Sequence, residues 1–218
     1  MNKLNEKEIL NRVLYKDTHI IVLNKPSGVP VHKGPKGGET MEDYFGFLKF
    51  GNLENPSLAH RLDRDTSGCL ILGRHKKALK KLGKLFEEKK VLKTYIAMVK
   101  GKMPAEKGVI DAKIKKKSEE KRGWWVFVAE DGEVALTEYK VIKDYGDKSL
   151  VEFYPKTGRT HQIRVHAAHV GCPIIGDSIY GGAERDAQLM LHALEIDIPY
   201  TPPESITIRA EVPAYFGI

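Results

Sequence analysis

The stretch AHRLDRDTSGCLILGR, residues 59–74, sets five ionisable side chains directly before an apolar run. The run, residues 69–72, is typical of a buried strand. Charges at the edge of a core cost free energy unless they are paired, so a chain normally places them elsewhere. The stretch is therefore either a solvated loop between two elements or a functional site. The five side chains are His60, Arg61, Asp63, Arg64 and Asp65.

The length and composition are those of a globular protein that needs no covalent cross-link. A chain of 218 residues, 41% hydrophobic and 30% charged, buries roughly 70% of its unfolded surface. Its two cysteines, Cys69 and Cys172, lie in apolar or turn contexts, which predicts buried thiols in a reducing compartment. No apolar run approaches the roughly 20 residues of a membrane span, and the charged N-terminal segment has no signal core. We therefore expect a cytoplasmic protein.

The charge balance points to an anionic partner. A net charge of +7 attracts polyanions, so RNA, DNA and an anionic membrane are all candidates at this point.

The pattern of apolar and turn residues predicts strands in runs, with helices placed irregularly among them. This order favours an α+β fold with a mixed or mostly antiparallel sheet, and one domain over residues 1–218. A charge run at 113–122 is predicted to lie at a hairpin tip, either solvated or in contact with RNA. The predicted strands are 13–15 with 19–23, 94–99, 134–143 with 150–154, and two within 191–212, and the predicted helices are 41–50, 76–90 and 161–170.

The helix at 76–90 has two different faces. Leu79, Leu82, Leu85 and Phe86 recur at helical spacing and predict one buried stripe. The lysines on the other side are either a solvated face or a ridge that contacts phosphates. These lysines are Lys77, Lys80, Lys81 and Lys84.

Carboxylates are better candidates for chemistry than a metal. His161, His166 and His169 cluster without a recognisable ligand spacing, so we predict no metal site. Asp63 and Asp65 lie two residues apart with arginines beside them, and a neighbouring arginine favours an ionised carboxylate, which suits a nucleophile or a base. From spacing alone, a salt-bridge network within a loop is the simpler explanation.

A resemblance to a protein family favours a functional site over a salt-bridge network within a loop. The stretch 59–74 resembles the HRLD-x-x-TSG signature of the RluA-type pseudouridine synthases, and three further stretches are similar to this family in order and spacing. The resemblance implies a single catalytic domain on a bent, mostly antiparallel sheet, with flanking helices and a central active-site cleft. The three stretches are VLNKPSGVPVH (22–32), KTYIAMVKG (93–101) and TGRTHQIRVHAAHVGCPIIGDSIYG (157–181).

The resemblance also implies the activity and the site. It predicts an isomerase that converts specific uridines of ribosomal or transfer RNA to pseudouridine, without metal or cofactor. Asp63 matches the catalytic aspartate, Tyr95 an active-site tyrosine that packs on uracil, and Arg164 an arginine that pairs with the aspartate. Arg61 resembles a residue that fills the gap left by a flipped base. As substrate-binding residues we expect Arg61, His60, Thr66, Lys80 and Lys84.

The partners and the alternatives follow from the same resemblance. Members of this family often carry an N-terminal S4-like RNA-binding domain, and because the first predicted strand begins near residue 12 we expect none here. We expect a monomer that binds RNA and neither DNA nor a membrane. One alternative is a non-catalytic RNA- or ribosome-binding protein on this fold. Another is a Mg²⁺-dependent hydrolase with an aspartyl nucleophile, although no phosphate-binding loop supports it.

Overall fold

A computed structural model describes residues 3–34, 37–119, 123–184, 187–201 and 203–218. The chain divides into two compact units, which are described separately. Unit 1 contains Met1–Leu92 and Ala193–Glu211, and unit 2 contains Lys93–His192 and Val212–Ile218. This division leaves the expectation of a single domain a prediction.

Over the described residues, the secondary structure alternates strand runs with three α-helices and two 3₁₀ helices, Met41–Leu48 and Ala214–Phe216. The elements are α1 (Glu6–Leu10), β1 (Val13–Lys16), β2 (Ile20–Lys25), β3 (Ser57–Leu58), β4 (Ser67–Gly73), α2 (Lys76–Glu87), β5 (Leu92–Lys100), β6 (Lys107–Asp111), β7 (Ile114–Glu119), β8 (Gly123–Val128), β9 (Leu136–Asp144), β10 (Lys148–Pro155), α3 (Gln162–His169), β11 (Leu191–Thr201) and β12 (Glu204–Arg209).

Unit 1 is built on β4, in which every residue is buried. Strand β4 pairs antiparallel with β2 and with the short β3, and the strand order is β1-β2-β4-β11, with β12 beside β11. Gly68 opens β4 with a φ of 106°, and a Cβ there would lie 2.2 Å from the carbonyl oxygen of Ala193. Only glycine therefore allows the two strands to approach this closely. The apolar stripe of α2 packs on the same sheet through Ala78, Leu82 and Leu85.

Unit 2 contains a second antiparallel arrangement, in the order β5-β10-β9-β6. Strands β7 and β8 form a separate hairpin. Helix α3 lies against these strands, and its Ile163 and Ala167 join a core that includes Val99, Val151 and Phe153. This core holds α3, and with it the candidate residue Arg164, in place.

The α+β class with antiparallel pairing is confirmed, as are the predicted hairpin at 13–23 and the helices at 76–90 and 161–170. The segment 41–50 forms a 3₁₀ helix rather than an α-helix. Strands β3 and β6 were not expected from the sequence. The charge run 113–122 forms β7 as far as Glu119, and residues 120–122 lie outside the described part of the chain. No described helix has both the length and the apolar composition to cross a membrane.

Both cysteines are buried and reduced, as predicted. Cys69 lies in β4 of unit 1, and Cys172 follows α3 in unit 2. Burial raises the pKa of Cys69 to about 12 and also raises the pKa of Cys172. Both side chains therefore remain thiols at neutral pH.

Candidate active site

Asp63 lies in a tight turn that leads directly into β4. The backbone N–H of Thr66 donates to the carbonyl oxygen of Asp63 at 3.2 Å, which closes the turn one residue before the strand begins at Ser67. Asp63 itself is half-buried, whereas Thr66 is only 2% exposed. Thr66 closes the turn through its backbone N–H, and its expected contact with substrate stays a prediction.

Lys25, at the end of β2, binds the backbone of this turn. Its ammonium is completely buried and donates to the carbonyl oxygens of Pro26 at 2.8 Å, Val29 at 2.8 Å and Arg64 at 2.9 Å. Burial lowers the pKa of Lys25 to about 7, although the carboxylates of the turn act in the opposite direction. The three carbonyl oxygens take the place of water around the buried nitrogen.

The loop after Lys25 adds two further contacts to the same turn. Ser27 Oγ donates to the carbonyl oxygen of Asp65 at 2.7 Å, and the backbone N–H of Gly28 donates to that of Arg64 at 3.0 Å. Gly28 has a φ of 83°, a conformation that favours glycine. The loop and the turn are thus joined through the backbone carbonyl oxygens of the turn.

The other charged residues of the turn are nearer to solvent. Arg64 donates from Nε and Nη2 to the two carboxylate oxygens of Asp65, at 2.9 and 3.1 Å. Arg61 is exposed. One ion pair of the kind that spacing suggested is therefore present, between Arg64 and Asp65, next to the candidate catalytic residue.

His60 joins β4 to α2. Its Nε2 accepts a hydrogen bond from the backbone N–H of Ile71 at 3.0 Å. The preceding residue, Ala59, donates its backbone N–H to the carbonyl oxygen of the same Ile71. The imidazole ring also packs on Phe86, with 5.0 Å between the ring centroids. These contacts give His60 a structural role, and its expected contact with substrate stays a prediction.

The lysine face of α2 is exposed, as expected. Lys80 and Lys84 both point away from the core, and Lys84 lies 3.6 Å from a carboxylate oxygen of Glu88. Lys81 lies 4.2 Å from the ring centroid of Tyr200. The face thus presents cations to solvent while one of its four lysines is held by an aromatic ring.

Tyr95 lies in β5 of unit 2, opposite Phe153 of β10. Its side chain is half-buried and packs on the core of the unit. An aromatic ring that is held along one edge and partly accessible suits a stacking surface for a base.

Arg164 is buried in α3 and forms a two-point ion pair with Asp177. Nε and Nη2 of the arginine donate to Oδ2 and Oδ1 of the aspartate, at 2.7 and 2.8 Å. Asp177 Oδ1 also accepts from the backbone N–H groups of Ile179 at 2.9 Å and Tyr180 at 3.0 Å. Burial opposes ionisation of Asp177, but the contacts with Arg164 and these N–H groups outweigh it and lower the pKa of its carboxyl.

The same guanidinium lies over the aromatic ring of Tyr180. The carbon of the Arg164 guanidinium lies 5.3 Å from the centroid of the Tyr180 ring. The phenol oxygen accepts from the backbone N–H of Val126 at 3.1 Å and lies 2.8 Å from Nδ1 of His161. His161, with a φ of 56°, is the residue that begins α3. The orientation of Arg164 is therefore fixed by several independent contacts.

His166 has a structural environment of its own. Its Nε2 lies 2.9 Å from the carbonyl oxygen of Ala112 and its Nδ1 lies 2.9 Å from Thr137 Oγ1. Burial lowers the pKa of this imidazole. Over the residues that the structure describes, no three histidine, cysteine, aspartate or glutamate side chains group in a way that could hold a metal ion.

Two residues of the site were not identified from the sequence, Lys25 and Asp177. Lys25 ends a strand that begins with four apolar residues, which is an unusual place for a lysine and is the only local sign of its role. Asp177 lies inside the stretch 157–181 that carries the resemblance, but nothing in its spacing singles it out as the partner of Arg164.

Comparison with known proteins supports one family. The family model described as RNA pseudouridylate synthase matches residues 19–169, a range that includes Asp63, Tyr95 and Arg164. An RNA pseudouridine synthase of Zymomonas mobilis is 39% identical over 95% of this chain and 96% of its own length. The ribosomal large subunit pseudouridine synthase C of Escherichia coli is 36% identical over 94% of this chain and 67% of its own length. The solved structure of human RNA pseudouridylate synthase domain containing 4 is 28% identical, with a TM-score of 0.81 over 97% of this chain and 92% of its own.

Proposed function

The chain belongs to the RNA pseudouridylate synthase family and is an RNA pseudouridine synthase, and from this premise we propose that Asp63 is its catalytic carboxylate. The observation that carries this proposal is the turn at residues 63–66. A buried ammonium, a hydroxyl and an N–H all bind its backbone, while the carboxylate at its first position is half-buried rather than enclosed. A reacting group must be held to within about 0.5 Å, and a turn fixed in this way provides such support.

The reaction explains why a carboxylate is needed. The N1–C1′ bond of uridine breaks, the uracil rotates, the C5–C1′ bond forms, and the proton on C5 leaves to a base while N1 gains one. Breaking the glycosidic bond develops positive charge on the sugar, which a fixed carboxylate stabilises. Asp63 either adds to C1′ as a nucleophile or removes the 2′ proton, and both routes require the same ionised group.

Tyr95 and Arg164 complete the proposed site. Tyr95 offers a ring on which uracil stacks and a phenol that moves a proton. Arg164 is the proposed positioning group for the catalytic carboxylate. The support for this role is that Asp177 and Tyr180 hold the guanidinium in one orientation, as a positioning group requires.

The RNA substrate is bound by charge around these groups. Removing a nucleotide from a stack costs roughly a few kcal/mol, and contacts with phosphates offset this cost. The exposed cations Arg61, Lys80 and Lys84 are the proposed contacts, because they face solvent on a chain of net charge +7. Since the similar Escherichia coli protein is named for the large ribosomal subunit, we take large-subunit ribosomal RNA as the first substrate, with transfer RNA second. We further propose a cytoplasmic monomer that binds neither DNA nor a membrane.

The test is release of tritium from RNA labelled at C5 of uracil, with wild type and Asp63→Asn compared directly. Formation of the C5–C1′ bond expels the label, so release reports the isomerisation. We expect Asp63→Asn to reduce the rate by about 10³-fold or more while RNA binding is retained. Asp65→Asn is the matched control, because it removes the same charge from the same turn and should retain near wild-type release.

Two results would contradict the proposal. Release by Asp63→Asn at the wild-type rate would show that this carboxylate is not catalytic. Binding of ribosomal and transfer RNA by the wild type, without release from either, would favour a non-catalytic RNA-binding protein.

A further inference from the structure

Lys93 is a half-buried cation two residues before Tyr95 in β5. Side chains two positions apart in a strand lie on the same face of the sheet. We propose that the Lys93 ammonium binds a phosphate of the RNA beside the base that stacks on Tyr95. This inference rests on the proposed function, since it assigns a further substrate contact to the same site.

The first argument is that this ammonium has no hydrogen-bond or ion-pair partner among the residues that the structure describes. No hydrogen bond or ion pair joins Lys93 to any residue that the structure describes. Neighbouring lysines behave differently, because Lys100 donates to the carbonyl oxygen of Gly181 at 2.9 Å and Lys156 lies 2.8 Å from Glu138. Lys25, which is completely buried, is bound by three carbonyl oxygens. A cation that is partly removed from water without compensation destabilises the free protein.

Burial also lowers the pKa of Lys93, which is the expected sign for a charge that the protein does not compensate. An anion supplied by a ligand would remove this penalty. The charge therefore favours binding at the expense of the stability of the free protein.

The second argument is the space beside the ammonium. Lys93 Nζ lies 3.9 Å from the point where a Cβ would be at Gly158, and no other heavy atom outside the immediate chain neighbours lies within 4 Å of that point. Gly158 is exposed, in the loop that joins β10 to α3. An exposed glycine lets another backbone approach closely, in this case a sugar-phosphate chain.

The third argument identifies the ligand. The substrate is a polyanion, and the anion closest to any base is the phosphate of its own or a neighbouring nucleotide. A compact ammonium binds a phosphate as a point charge, without the paired geometry that an arginine would impose. The position of Lys93 on the same face as Tyr95 places this charge within one nucleotide of the stacked base.

The experiment compares Lys93→Met, Lys93→Arg and a matched control, Lys107→Met. Lys107 is an exposed lysine of β6 in the same unit, so its substitution removes the same charge outside the proposed site. The probe is large-subunit ribosomal RNA transcribed with uridine tritiated at C5. Dissociation constants are measured across a salt series, together with tritium release and thermal unfolding.

We expect Lys93→Met to weaken RNA binding about tenfold, as loss of one charged hydrogen bond does. The slope of log Kd against log salt should fall by about 0.7 to 0.9, the value for one phosphate. The effect should appear in KM more than in kcat. Lys93→Arg should keep the slope, and Lys107→Met should resemble the wild type.

Thermal unfolding separates binding from a structural role. Because the ammonium has no hydrogen-bond or ion-pair partner among the described residues, Lys93→Met should unfold at the wild-type temperature or higher. A lower unfolding temperature together with lost binding would show that Lys93 is structural and would overturn the proposal. A salt slope that is unchanged, or one that Lys107→Met reduces equally, would overturn it as well.

The outcome for Lys93 is distinct from the outcome for the function. Absence of tritium release by the wild type would refute the proposed function, whereas the salt slopes would still decide whether Lys93 binds a phosphate. Release by the wild type with a wild-type slope for Lys93→Met would refute only the Lys93 contact.

Discussion

The turn that carries Asp63 and the pocket that holds Arg164 fix their residues in opposite ways. The turn is held through its backbone, because Lys25, Ser27 and Gly28 all bind its carbonyl oxygens. The Arg164 pocket instead binds the side chain, which donates two hydrogen bonds to Asp177 and lies over the ring of Tyr180.

This difference matches what each group must do. A carboxylate that reacts must keep its oxygens accessible to substrate, so its support has to come from the main chain. An arginine that orients and stabilises a charge does not change its bonds, so its guanidinium can be held directly. Three substitutions test this comparison, each removing one supporting group.

Asp177→Asn should have the largest effect, because it removes the negative charge that accepts two hydrogen bonds from the buried Arg164 guanidinium. Breaking a buried ion pair in this way costs about 3–5 kcal/mol of unfolding free energy. Urea unfolding at neutral pH measures the loss, with the exposed Asp131→Asn as a control that should change little. Equal stability of the two variants would show that the pair does not hold Arg164.

The same ion pair predicts an acid limit to stability. The pKa of Asp177 is lower in the folded protein than in the unfolded chain. Its contribution is therefore complete above the unfolded pKa, and it decreases as the pH falls through the folded pKa. Asp177→Asn should lack this part of the acid dependence.

Lys25→Met should have the second largest effect, because three carbonyl oxygens lose their donor. We expect a loss of about 2–4 kcal/mol in unfolding free energy. Tritium release should fall by about 10²-fold, since a displacement of about 1 Å at a reacting group has this consequence. A Lys25→Met protein that loses stability but keeps its full rate would show that the turn does not need this support.

The lowered pKa of Lys25 also predicts that the unfolding free energy depends on pH in the alkaline range. Its pKa is about 7 in the folded protein and near 10.5 in the unfolded chain. Between these values the unfolded chain binds more protons, so the wild type should gain up to about 1.4 kcal/mol per pH unit relative to Lys25→Met.

Ser27→Ala should have the smallest effect, about 1 kcal/mol, because it removes one hydrogen bond between neutral groups. The loss should be smaller in the rate of tritium release than for Lys25→Met, since the Lys25 contact with the turn remains. Chemical denaturation and the release assay measure both. An effect as large as that of Lys25→Met would mean that the hydroxyl, rather than the ammonium, is the main support of the turn.

The parts of the fold that were predictable are those with a local signal. The apolar run 69–72 identified β4, and the stripe from Leu79 to Phe86 identified α2, because burial of one face imposes a period on the sequence. The segment 41–50 has a mixed pattern, and the structure resolves it as a 3₁₀ helix.

The supports of the site were not predictable because they join distant positions. Lys25 binds the backbone of Arg64, 39 residues away, and a carbonyl oxygen leaves no trace in the sequence. Asp177 is one of many acidic residues that could pair with Arg164, and only the fold selects it. His60 is a further example, because the sequence alone does not distinguish a histidine that binds the backbone of Ile71 from one that binds a substrate.

Each unit contains one buried thiol, Cys69 in unit 1 and Cys172 in unit 2. Each is protonated and shielded in the folded protein, so a thiol-directed reagent can modify it only when its own surroundings open. The rates of modification at the two positions therefore report the local opening of each unit separately. The two native cysteines can therefore serve as chemical probes, without any engineered label. They can show which unit opens first when a supporting contact is removed.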